Sequence, residues 1–161
     1  MRSAIAVTRR TCYDYPMRFF ALLGIVCVAW TASVVQAARI EQASSTWSGV
    51  YTDDQAKLGQ ASYTKNCAEC HGQDLGGDGF APGLKGPEFM NNWNGLSVGE
   101  LFDRIRVSMP PNNPNSVSAK EKADIVAYLL KEDGFPAGKT ELPATVEALK
   151  GIKFEATKPG R

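Results

Sequence analysis

Apolar positions along this chain fall into two regimes. From Phe19 to Trp30 they run almost without a break, preceded by Met17-Arg18 and followed by small residues ending Val35-Gln36-Ala37. Beyond that point they recur at helical spacing among polar residues. The continuous run has the parts of a secretory signal: a basic start, an apolar centre and a small-residue cleavage site. Cleavage is expected after Ala37, and Met17 is an alternative start to the over-long leader from Met1 to Pro16. The run is shorter than the about 20 apolar residues of a spanning helix. Retention as an anchor is the alternative to cleavage.

The periodic region predicts three helices. Thr52 with Gln55 reads as a capping box opening a helix through about Asn66. Ser97 with Glu100 opens a second, with Leu101 and Ile105 on one stripe and Phe102 beside it. Ser118 with Glu121 opens a third, in which Ile125, Tyr128 and Leu129 repeat at helical spacing. Between them lie Gly72 to Pro87 and Pro110 to Ser116, rich in Gly, Pro and Asn and too long for simple turns. So short a set of helices has limited core of its own, and a large prosthetic group at its centre would order those loops. The expected layout is a leader over 1–37, an N-terminal linker over 38–51, a helical domain over 52–131 and an extension over 132–161. That extension either wraps the domain or is partly disordered, with a helical turn over Thr145 to Lys150.

Charge narrows the partners. The chain has 18 Lys and Arg, 17 Asp and Glu, and one His. Losing residues 1–37 removes four basic residues and one acidic residue, leaving a net charge of about −2. No basic patch stands out, which excludes nucleic acid as a partner class. The leader also takes Cys12 and Cys27 with it, so both remaining cysteines lie in Cys67-Ala68-Glu69-Cys70-His71.

That C-x-x-C-H run is the pattern of a c-type haem attachment site. Two thiols two residues apart can add to the two vinyl groups along one edge of the porphyrin, and the adjacent imidazole then meets iron on one face. His71 is the only histidine of the chain, so a histidine ligand must be this one. The competing readings fit less well. A thioredoxin-like pair needs a strand-then-helix setting, a zinc site needs about four N/S ligands where this region has three, and a plain disulfide has no use for His71.

The second axial position calls for methionine, the partner of His in cytochromes c. Past the leader there are two, Met90 and Met109. Met109 follows the second helix and precedes Pro110-Pro111, which cannot continue it and leave the chain extended. Met90, in Glu88-Phe89-Met90-Asn91-Asn92-Trp93, reads better as apolar packing. Met109 is the expected ligand, with Met90 or an open site as alternatives.

The runs Cys67 to Leu75, Ala81-Pro82-Gly83-Leu84, Ser108-Met109-Pro110 and Ala123 to Leu130 together resemble the monohaem class I c-type cytochromes, over about Thr52 to Leu130. The resemblance implies an all-α class I cytochrome c fold, three main helices with long loops around one covalently bound haem. It implies that the first and last helices cross near Gly59 and Tyr63 on one side and Tyr128 on the other. It also implies a proline, matched in position by Pro82, whose carbonyl accepts the axial histidine's ring N–H and so fixes the ring. Trp93 is similar to aromatic residues near the haem in related domains, with core packing as the alternative. Within the family, Phe89 with Trp93 and the tail Gly134 to Gly138 followed by Glu141-Leu142-Pro143 resemble the small cytochrome domains that work with quinoprotein dehydrogenases.

The function expected from this ligand set is one-electron transfer. His71 and Met109 would fill the iron's coordination sphere and leave no vacancy for a substrate, so the resemblance implies a carrier rather than an enzyme. Secretion places it in the periplasm. Its partners would be redox proteins: a dehydrogenase donor, and a terminal oxidase or another cytochrome as acceptor. Membrane association follows only if the leader is retained. The alternative is a haem enzyme or small-ligand sensor with an open or labile sixth site.

Overall fold

The computed structural model of the chain describes residues 44–160, so the expected leader, its cleavage after Ala37 and Cys12 and Cys27 lie outside the described residues. The path runs from β1 (Ser44–Ser45) through a single 3-10 turn (Thr46–Ser48) into α1 (Asp53–Asn66) and α2 (Ala68–His71). It continues through α3 (Gly86–Trp93), α4 (Val98–Ser108), a second 3-10 turn (Pro114–Ser116) and α5 (Ala119–Glu132). It closes with α6 (Val146–Leu149) and β2 (Ile152–Lys153). The architecture is mostly helical, as expected, with a small strand pair added. β1 and β2 form a two-residue parallel pair that ties Ser44 to Ile152. Among the described residues no helix is long and apolar enough to cross a membrane.

Local chemistry sets the helix starts. Ser97 and Glu100 form a reciprocal capping box on α4, as Ser118 and Glu121 do on α5. At α1 the outcome differs from the expected box. The Thr52 hydroxyl does accept the Gln55 N–H at 3.1 Å. The Gln55 side chain, however, is fully buried and turns to the C-terminal segment, donating to the Leu142 carbonyl at 3.0 Å and accepting its N–H at 2.7 Å. A buried amide has to be paired, and the chain 87 residues away supplies both partners.

The core forms where α1 and α5 cross. Gly59 lies directly against the Asp124 carbonyl, and the Tyr63 and Tyr128 rings sit 5.5 Å apart beside the crossing. From Lys122 to Leu130 every residue of α5 is buried, the pattern of a helix covered on all sides. The segment read as linker is structured from Ser44: Thr46 and Tyr51 are buried, and the Tyr51 hydroxyl donates to the Phe135 carbonyl at 2.6 Å. Residues 134–154 lie back over the helices, burying Phe135, Leu142, Leu149 and Phe154. Phe135 and Phe154 stack edge to face at 5.3 Å and reach Trp47 on one side and Phe89 of α3 on the other. α3 itself is an addition to the three expected helices. Pro87 in its first turn and the acceptance of the Gly86 N–H by Asp133 at 2.7 Å start it from outside its own sequence.

Candidate haem site

Cys67 ends α1 and begins α2. Its N–H closes the first helix on the Tyr63 carbonyl at 2.8 Å, and its own carbonyl accepts the His71 N–H at 3.0 Å. That single turn puts Cys67, Cys70 and His71 at i, i+3 and i+4, positions that share one helix face. Cys67 is half-buried, Cys70 is exposed, and the two thiols are not joined. Burial pushes the Cys67 thiol up to about 11 against a smaller lowering by the Lys122 charge. A redox-active cysteine pair needs the opposite shift.

The loop after α2 is built to hold the imidazole. His71 Nδ1 lies 2.9 Å from the Pro82 carbonyl oxygen. Since a carbonyl only accepts, Nδ1 is the donor, the tautomer that in a neutral ring leaves the lone pair on Nε2. Pro82 is itself placed by Asp78, whose Oδ1 accepts the N–H groups of Phe80 at 2.9 Å and Ala81 at 3.0 Å. Gly77 donates to the His71 carbonyl at 2.8 Å and passes so close to the Ala81 carbonyl that a Cβ would come within 2.6 Å of it. The Tyr63 hydroxyl donates to the Gly72 carbonyl at 2.7 Å, and burial raises its pKa well above the ordinary phenol value, so it remains a donor.

Cys67, Cys70, His71 and Pro82 open into a cavity of about 950 Å³, at the upper end of the range for ligand pockets, about 300–1,000 Å³. Leu101 and Ile105 of α4 and Ile125 and Leu129 of α5 form its apolar wall, and Phe80, 99% exposed, stands among its lining. Met109 lies in the same wall. Its N–H ends α4 on the Ile105 carbonyl at 3.0 Å, and its backbone is extended at φ −125° and ψ 136° ahead of Pro110. Met90 is elsewhere, in a separate groove of about 420 Å³ with Lys85 and Asp133. Trp93 reaches the cavity wall and also packs 6.3 Å from Phe89.

Several wall residues escaped the sequence reading, two of them polar. Arg104 lines the cavity from α4, where it shares the stripe of Leu101, Ile105 and Ser108. A charge on an otherwise apolar stripe was the available signal. Asn92 of α3 lines it too, with no signal in a segment not read as helical. Among the described residues no three His, Cys, Asp or Glu side chains converge on a metal position. The donors present fit haem c instead: two thiols, one imidazole with a free Nε2 and one thioether around an apolar cavity.

Residues 54–129 match the family model described as cytochrome c oxidase, cbb3-type, subunit III. Comparison with curated proteins and with solved structures returned no match. The matched span runs from α1 to Leu129 of α5 and contains the C-x-x-C-H turn, Pro82 and Met109. It carries no link to quinoprotein dehydrogenases. With that match on the same residues that build the crossing of α1 and α5 and the cavity, residues 54–129 are a cytochrome c domain, a module of haem-based electron transfer.

Proposed function

We propose that the protein is a periplasmic one-electron carrier with a single covalent haem c, attached at Cys67 and Cys70 and ligated by His71 and Met109. One observation carries this reading: two thiols and an imidazole from one turn, and a thioether from the end of α4, line one apolar cavity. When bound, haem c supplies an iron centre that exchanges one electron between its ferrous and ferric states. Pro82 fixes the His71 ring through Nδ1 and increases the donor strength of Nε2. The Met109 thioether favours the reduced state and raises the potential. Leu101, Ile105, Ile125 and Leu129 exclude water and lower the local dielectric, which disfavours added positive charge. Arg104 supplies a cation in that wall, suited to carboxylate groups on the occupant. The electron donor would be a dehydrogenase. The description of the matched family makes a terminal oxidase the favoured acceptor.

The test is the visible spectrum of protein matured with covalent haem, compared with Met109→Ala. Expected are sharp reduced bands that survive acid–acetone extraction and a weak red-edge ferric band. Met109→Ala should lose that band, lower the potential and bind cyanide. An unchanged spectrum with unchanged ligand binding in Met109→Ala would remove Met109 from the iron. A wild-type high-spin spectrum that shifts with carbon monoxide would turn the reading to an open-site enzyme or sensor.

A further inference from the structure

Lys122 of α5 is a lysine enclosed by the fold, with 2% of its surface exposed. Its ammonium has no carboxylate partner among the described residues. It donates instead to two backbone carbonyls, Arg106 at 3.0 Å and Pro114 at 2.6 Å. Burying a charge is costly unless it is well hydrogen-bonded, and an apolar side chain could fill the same space without that cost. The two acceptors therefore indicate what the charge is for.

Those acceptors bracket Met109. Arg106 stands three residues before it and Pro114 five after. In a continuing helix the Arg106 carbonyl would be taken by the N–H of residue 110, but that residue is Pro110 and has none. The prolines that release Met109 from α4 thus strand a carbonyl, and Lys122 takes it. Between the bracketing points the backbone bonds are local, Met109 to Ile105 at the end of α4 and Asn113 to Pro110, and neither fastens the segment to α5. Lys122 also shares a stripe of α5 with Ile125 and Leu129, which wall the cavity. The helix that forms the wall thereby grips both ends of the segment that carries the thioether.

We propose that Lys122 is a positioning residue that clamps the Met109 segment to α5 and keeps its thioether presented to the cavity. This rests on the reading of Met109 as an axial ligand. The test uses ferric holoprotein well below its unfolding temperature and measures the rate of cyanide binding and the red-edge band. Lys122→Met, which keeps an unbranched apolar stem and removes the donor, should bind cyanide at least about ten-fold faster and weaken the band, with haem still covalently attached. Lys122→Arg should restore both towards wild type. Lys122→Gln, one bond too short to span both carbonyls, should also bind faster, and it serves if Lys122→Met yields no holoprotein. Cyanide binding at the wild-type rate with a full band in these variants would overturn the clamp, even if thermal stability fell. A missing band in wild type, with Met109→Ala no faster than wild type, would instead overturn the ligand reading.

Discussion

Gly59→Ala is a substitution whose sign differs according to whether the helix or the fold decides it. Within an isolated helix, alanine is favoured over glycine by up to about 1 kcal/mol, because glycine loses more backbone freedom on folding. In the fold, a Cβ at position 59 would lie 1.8 Å from the Asp124 carbonyl oxygen, 2.4 Å from its carbon and 3.0 Å from the Ile125 nitrogen. All three atoms are backbone of α5, so no rotamer change relieves the clash. Since real Cβ atoms essentially never come within 3.0 Å of such atoms, α1 and α5 would have to separate by at least about 1.2 Å. Overpacking of this kind costs about 3 kcal/mol, at the upper end of its usual range because neither backbone can yield locally. The net is about 2 kcal/mol of destabilisation, or roughly 8 °C in Tm at roughly 4 °C per kcal/mol for a domain of this size. Thermal unfolding of the holoprotein, followed by near-UV circular dichroism, measures it. A Tm equal to or above wild type would mean that the helices do not meet at Gly59.

The C-terminal segment and the α3 junction give two more tests. Gln55→Ala leaves the buried N–H and C=O of Leu142 without their partners and should cost about 2–4 kcal/mol; a urea midpoint that hardly moved would mean that residues 134–154 contribute little to the fold. Burial pushes the Asp133 carboxyl from 3.8 up to about 6. The folded state thus prefers the protonated form, and the associated stability is present below about pH 4 and lost as pH rises through about 6. Asp133→Asn keeps an oxygen to accept the Gly86 N–H and should be more stable than wild type at pH 8 but not at pH 4. Because the group is only partly buried, solvent screening limits the gain to about 1 kcal/mol. A stability difference that did not change between the two pH values would exclude Asp133 as the titrating group.

How much could be read in advance depended on sequence separation. The C-x-x-C-H turn, the Ser97–Glu100 and Ser118–Glu121 boxes and the extended exit at Met109-Pro110 all rest on bonds or sterics within four residues, and each is legible as a short pattern. The family likeness also anticipated the meeting of Gly59 and Tyr63 with α5, and the lie of the Pro82 carbonyl on His71. The Thr52–Gln55 box shows where this reading stops. Its spacing was right, yet the glutamine went to Leu142, because a local bond at a solvent-facing helix end competes poorly with two bonds in the interior. α3 was missed for a related reason: its first turn is secured by Asp133, 47 residues away.

The chain alone therefore determined the donor types and their spacing, since covalent geometry and one helical turn suffice to bring Cys67, Cys70 and His71 onto one face. Only the tertiary structure decided that Met109 shares their cavity while Met90 lines a different groove, that Arg104 enters an apolar wall, and that Lys122 closes on Arg106 and Pro114. Each of these depends on where separate elements cross. A crossing is set by the packing of many side chains at once, and no local pattern encodes it.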